Sequence, residues 1–376
     1  MAAPRLRRKM IRLALAAVVA LLAAAPATAA DPLHREDLRI PMAAAGPRGL
    51  EAMLIRPAGT GRYPLALLSH GTPRDAAARE GMTPNGLYVQ AIEFARRGFA
   101  AVVVMRRGYG DSGGGYAESN GPCDRRNYLA SANASAADLR AAVDAMGRRA
   151  DLTTKGMIAA GVSAGGFASI ALSADPPPGL AAVINFAGGR GSRADDDVCD
   201  EDALVRAFAS LGKTSRIPSL WVYAGNDKYF GPQLARRMHA AFTAAGGRAR
   251  FIDAPAFGRD GHGLFSAMGV SIWTPMVDSF LREMNLGTRD LIAAPATAAV
   301  PPPRQFSVKG RAAFAAYLAS GPHKAFAVSP KGQYAFRSGL RTPAQAEAAA
   351  LAECAKHAPD CALYAKGDEL AGQGNR

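Results

Sequence analysis

GMIAAGVSAGGFASIALSA, residues 156–174, runs from an apolar stretch through Gly161-Val162-Ser163-Ala164-Gly165 into an alanine-rich stretch. The centre fits the pattern G-x-S-x-G. Its flanks decide how to read it: GMIAAG is a buried-strand pattern, and GGFASIALSA opens a helix. A strand-to-helix turn this tight forces the central side chain into an exposed, strained position. Small neighbours are then needed for backbone clearance, and Gly161, Ala164 and Gly165 supply it. The spacing predicts Ser163 as a nucleophile at the end of a strand, with a helix N-terminus behind it favouring a developing anion.

Working outward, residues 37–287 alternate short apolar runs with amphipathic stretches. LEAMLIRP, PLALLSHG, FAAVVVMRR, GMIAAGVS, LAAVINFAGG, SLWVYAGND and ARFIDAPAF read as strands. Helices are predicted near Gly86–Arg97, Ser135–Arg148, Gly165–Ser173, Asp202–Leu211, Gln233–Ala245 and Ile272–Met284. The alternation predicts an α/β fold with a mostly parallel sheet. LRIPMAAA and LEAMLIRP, joined by Gly46-Pro47-Arg48-Gly49, read as an antiparallel hairpin on its edge.

A serine hydroxyl needs a base, and the base needs an orienting carboxylate. The chain has six histidines. His34 lies near the start, His70 ends the third strand, His239 sits inside a helix, and His323 and His357 fall in the tail. Only His262, in Gly258-Arg259-Asp260-Gly261-His262-Gly263, occupies a loop after the last core strand, from which it reaches back over the sheet edge. Asp227 closes the strand SLWVYAG and is the expected acid. Asp253 falls within a strand, and Asp260 is too close in sequence to address the His262 ring. Two amides are needed for an oxyanion: that of Ala164, next to the nucleophile, and that of Thr72, in the turn after His70-Gly71. Pro73 has no N–H to offer. His70 reads as a structural hydrogen bonder beneath that turn, and Asp111 as a brace for the loop after strand four.

The order Ser163, Asp227, His262, the His70-Gly71 turn, and Arg107-Gly108-Tyr109-Gly110-Asp111-Ser112 after strand four resemble the α/β-hydrolase superfamily over residues 37–287. Within it the chain is similar to the dienelactone-hydrolase and prolyl-oligopeptidase-like branches. It departs from the first by carrying serine where those enzymes carry cysteine, and from the second by lacking their tyrosine-bearing oxyanion loop. The resemblance implies an eight-stranded sheet with the site at its C-terminal edge. It also implies acyl transfer through an acyl-serine, with no cofactor and no metal. Hydrolysis of a small-molecule carboxylic ester is the expected reaction. A peptidase or acyltransferase on the same triad, and a non-catalytic envelope-binding scaffold, are the alternatives.

Residues 1–30 have a basic start, an apolar centre and small residues at Ala27-Thr28-Ala29. This is the layout of a cleaved signal peptide, and Arg7-Arg8 also fits a twin-arginine signal. Export to the periplasm or medium is therefore expected, with no membrane span in the mature chain. The net charge of +14 falls to nine positive charges once Arg5, Arg7, Arg8, Lys9 and Arg12 are removed. The remaining charge forms no basic stripe with interleaved aromatics, which argues against nucleic-acid binding.

The boundaries expected are 31–292 for the catalytic domain, 293–304 for a Pro/Ala linker, and 305–376 for a small α+β C-terminal domain that could contact the envelope. In the last, KAFAVSP and GQYAFRSG form a hairpin, TPAQAEAAALAECAKHA a helix started by Thr342-Pro343, and CALYAKGD a strand. The four cysteines permit three pairings. Cys123 and Cys199 lie on two loops leaving the same sheet edge, so a bridge there would clamp them over the site. A Cys354–Cys361 bridge would pin the tail's helix to its strand.

Overall fold

The computed structural model describes residues 31–288 and 290–372. The predicted signal peptide, residues 1–30, lies outside the described residues. Eight strands form the main sheet: β1 (Leu33–Ile40), β2 (Leu50–Pro57), β3 (Tyr63–Ser69), β4 (Ala100–Val104), β5 (Leu152–Val162), β6 (Leu180–Phe186), β7 (Ser219–Ala224) and β8 (Ala249–Ala254). Their order is β1-β2-β4-β3-β5-β6-β7-β8. β2 runs antiparallel to both neighbours, and every later pairing is parallel. The eight-stranded, mostly parallel sheet anticipated from the sequence is therefore present.

Both faces of this sheet are covered, which is why its strands read as continuous apolar runs. Alternation still sorts them. Leu65, Leu67, Val102 and Val104 enter one core, with Leu139, Phe167, Phe208 and Phe242 from α2 (Tyr128–Gly147), α3 (Ala164–Ala174), α4 (Glu201–Gly212) and α5 (Pro232–Ala244). Ala66, Leu68, Ala101 and Val103 enter the other, with Phe94, Trp273 and Phe280 from α1 (Tyr88–Arg96) and α6 (Val270–Glu283).

Two local expectations change. α2 starts seven residues before Ser135, capped by the Asn127 side chain on the Ala130 amide at 2.9 Å. Ser135 is buried inside the helix instead, where its hydroxyl reaches a buried acid. The edge hairpin uses LHREDLRI as its first strand, and Ala43–Arg48 form a short 3-10 turn.

A second sheet, all antiparallel, has the order β10-β9-β11-β12, from β9 (Ala325–Val328), β10 (Tyr334–Arg337), β11 (Ala362–Lys366) and β12 (Glu369–Leu370). α8 (Pro343–Ala355) covers one face through Ala346, Ala350 and Cys354, and its Thr342/Gln345 capping box matches the predicted start. α7 (Val308–Ala319) covers the other face through Phe314 and Tyr317. It was not anticipated, because alanines and Gly310 hide its apolar stripe. This sheet sits on the main one: Arg341 grips Glu51 through two bonds of 3.0 Å, and Thr83 donates to the Gly339 carbonyl at 2.6 Å. Disulfides join Cys123 to Cys199 and Cys354 to Cys361, with Cα separations of 5.4 and 6.0 Å. No described helix is long and apolar enough to cross a membrane.

Candidate active site

Ser163 follows β5 and caps α3, with φ 58° and ψ −125°. Left-handed φ disfavours a side chain, so the fold must hold this residue there. The glycines around it show how. A Cβ on Gly161 would sit 2.3 Å from Gly165, one on Gly165 would lie 2.1 Å from the Ser69 carbonyl, and one on Gly166 would meet Asn185 at 2.3 Å. Strand and helix thus approach as only glycine permits, and the turn pushes Ser163 outward.

Asp227 lies in the turn just after β7, its amide donating to the Ala224 carbonyl at 3.1 Å, and is 2% exposed. Its Oδ1 accepts the amides of Tyr229 (2.7 Å) and Phe230 (2.9 Å), which fixes the carboxylate. The His262 Nδ1 lies 3.1 and 3.2 Å from its two oxygens. Asp260 instead bonds backbone amides, those of His262 (2.9 Å) and Lys228 (3.0 Å), and so shapes the turn that carries the histidine. The Tyr229 ring stacks on His262 at 3.9 Å, and the Arg74 guanidinium lies 3.6 Å above Tyr229. This three-layer stack confines the imidazole from the side that Asp227 does not hold. Tyr229 had no sequence signal beyond its nearness to Asp227.

Ser163, Ala164, Thr72, Tyr229 and Phe230 line one cleft of about 400 Å³. Among the described residues Ser163 Oγ makes no hydrogen bond, and the amides of Thr72 and Ala164 have no partner. The structure thus pairs Asp227 with His262 directly. It brings Ser163 to the same cleft wall as the aromatic rings against His262, and leaves two free amides beside it. Unliganded sites commonly leave the nucleophile–base bond to be closed by substrate.

Beneath the Thr72 turn lies a buried network. Glu118, fully buried, receives ion pairs from Arg106 and Arg190, the Ser135 hydroxyl at 2.7 Å and the Tyr109 hydroxyl at 2.8 Å. Tyr109 spends its only proton on Glu118, so Thr72 Oγ1 donates to the Tyr109 oxygen at 2.6 Å. The chain Glu118–Tyr109–Thr72 thereby fixes the turn that carries the Thr72 amide. Tyr109 belongs to the Arg107–Ser112 stretch singled out in the sequence, and Arg106 immediately precedes it. Glu118 carries no pattern that would single it out. Asp111 pairs with Arg39 and takes its amide to Glu51, bracing that loop against the sheet edge.

His70 also belongs under this turn. Its Nδ1–H donates to the Gly71 carbonyl at 2.7 Å, and its Nε2 accepts the Arg106 amide at 3.1 Å. Burial, then the Arg106 guanidinium, push its imidazole down to about 3. In the unfolded chain it protonates near 6.5, so below that pH the unfolded state binds the extra proton and stability falls as pH falls. The expected contribution is about 1.4 kcal/mol per pH unit between the two values. Urea unfolding from pH 7 to pH 4 should show a slope shallower by up to one proton in His70→Gln; an unchanged slope would remove His70 from the account.

The Cys123–Cys199 bridge ties the loop carrying Tyr116, Asn120 and Arg126 to the loop carrying Gly189–Arg193, and both form walls of the cleft.

Residues 46–228 match the model of the X-Pro dipeptidyl-peptidase (S15) family, a span holding Ser163 and Asp227 but ending before His262. No curated protein matches. Among solved structures, the chain is similar to a putative dienelactone hydrolase from Klebsiella pneumoniae subsp. pneumoniae, at 15% identity and TM-score 0.44, covering 66% of this chain and 99% of that one. It is similar to an esterase of Pyrococcus furiosus at 13% identity and TM-score 0.45, covering 67% and 90%. It is also similar to the acylaminoacyl peptidase of Pyrococcus horikoshii at 13% identity and TM-score 0.48, covering 71% and 43%.

Proposed function

We propose that the chain is a member of the α/β-hydrolase superfamily, supported by its eight-stranded sheet and by the family model matching residues 46–228, and that it is an exported serine hydrolase cleaving carboxylic esters of small molecules. The observation that carries this is the conjunction of Ser163 at φ 58° directly after β5 with the Asp227–His262 pair, held by the loops that follow β7 and β8. His262 Nε2 takes the Ser163 proton as Oγ bonds to the ester carbon. Asp227 keeps the Nδ1–H tautomer and stabilises the imidazolium. The Thr72 and Ala164 amides receive the oxyanion. The ester C–O bond then breaks, the alcohol leaves with the proton from His262, and water, deprotonated by the same imidazole, releases the acid and restores Ser163.

Two disulfides among the described residues support export, since such bridges persist in oxidising compartments. Residues 31–292 serve in this reading as the catalytic unit and 305–376 as a second unit. The latter also walls an apolar pocket of about 710 Å³ that includes Gly71 and Val162, chain neighbours of Thr72 and Ser163. Amide hydrolysis is the second reading, favoured by the S15 family match. A fluorophosphonate probe should label the folded protein at Ser163, read by peptide mass spectrometry. Absence of label would sink the serine reading. Turnover of matched ester and amide substrates then separates the two reactions.

A further inference from the structure

Five arginines line the Ser163 cleft: Arg74, Arg79, Arg126, Arg190 and Arg193; no acidic residue does. Their partners leave an excess of positive charge. Arg190 shares the single carboxylate of Glu118 with Arg106. Arg74 shares that of Asp195 with Lys228. Arg193 pairs with Asp197. Arg79 and Arg126 have no carboxylate partner among the described residues. Arg79 lies over the Tyr116 ring at 3.8 Å and bonds only its own turn, at the Ala76 carbonyl. Arg126 bonds the Gly121 carbonyl and the Cys199 sulfur. Arg190 is 4% exposed, yet its Nε has no hydrogen-bond partner. Its two terminal nitrogens are engaged by the Tyr116 hydroxyl, the Glu118 carbonyl and the Glu118 carboxylate. Arg190 therefore contributes positive charge to the cleft wall, and Arg79 and Arg126 are the cleft guanidiniums without a carboxylate partner among the described residues.

We infer that the cleft binds a substrate whose non-reacting end carries an oxyanion, a carboxylate or phosphate, received by Arg79 and Arg126, with Arg190 adding positive charge behind them, while Ser163 attacks the ester. The inference rests on the serine-hydrolase reading for the attack but not for the binding. Guanidinium forks suit planar or tetrahedral oxyanions, and their charge-assisted bonds are the strong ones. The Cys123–Cys199 bridge ties the loop of Arg126 to that of Arg190, so the forks are held in place before the ligand arrives. The same field rejects a substrate end bearing an ammonium group.

The test pairs monoethyl glutarate with ethyl butyrate, using the full-length mature protein. The charged ester should show kcat/KM higher by about tenfold or more. That ratio should fall toward one in Arg126→Gln and in Arg79→Gln, and also as salt is raised. Calorimetric titration of the Ser163→Ala variant with glutarate, and separately with inorganic phosphate, reads binding without chemistry and decides which oxyanion is preferred. Equal kcat/KM for both esters with intact fluorophosphonate labelling overturns the inference and spares the serine reading. Oxyanion binding that weakens in both arginine variants, in a protein that neither labels nor turns over either ester, does the reverse. Binding of neither anion overturns the inference outright.

Discussion

If Ser163 is the nucleophile proposed above, replacing it by alanine should lower kcat for a short-chain aryl ester by about 10⁶-fold, the scale on which a serine triad depends on its nucleophile. The protein should stay as stable as before. Ser163 Oγ has no hydrogen-bond partner among the described residues, and alanine sits no worse than serine at φ 58°. Activity and stability therefore separate in this variant, as they would not if the residue were a structural link. Steady-state kinetics beside a thermal melt check both. Turnover near that of the parent would remove Ser163 from the chemistry.

The largest effect on stability is expected from Glu118→Ala. Removing that carboxylate leaves the Arg106 and Arg190 guanidiniums, 0% and 4% exposed, facing each other without a counter-charge. Breaking a buried pair in this way costs about 3–5 kcal/mol. The loss should appear as a lower urea midpoint with an unchanged slope. Activity should fall as well, because Tyr109 loses its acceptor and the Thr72 turn its anchor. The wild type should show the same linkage on acidification. Burial alone would raise the Glu118 carboxyl, but Arg106 and Arg190 overcome it and hold it well below the ordinary 4.5. The unfolded chain then takes up the proton first, so this stabilisation is present above pH 4.5 and drains away as pH falls further. His70 acts from about 6.5 downward, so between about 6.5 and 4.5 only His70 contributes, and below 4.5 the two losses add.

The parts visible in the sequence share one property: each stands where an apolar run stops. Ser163, Asp227 and His70 all stand just after strands whose burial makes them conspicuous, and His262 follows the last of them. The sheet was legible for the same reason, since strands covered on both faces have nothing polar to blur them. What escaped lacked such a frame. Glu118 is a lone acid in a glycine-rich loop, and only its placement against Arg106 and Arg190, 12 and 72 residues away, gives it meaning. Tyr229 is one aromatic among several until its ring is seen against His262. α7 buries Phe314 and Tyr317, but alanine fills both its faces, so periodicity had little to register.

The bridge between Cys123 and Cys199 closes a separation of 76 residues. Ser163, Asp227 and His262 belong to the sheet edge and do not depend on it, whereas Arg126 and Arg190 ride on the loops it joins. Protein prepared in a reducing cytosol would therefore keep its reacting groups and lose the fixed spacing of its guanidiniums. On the proposed reading, such a preparation would pass a generic esterase assay and fail to discriminate charged from neutral substrates. On the same reading, an oxidised sample should prefer oxyanion-bearing esters in a substrate screen, and a reduced sample should not.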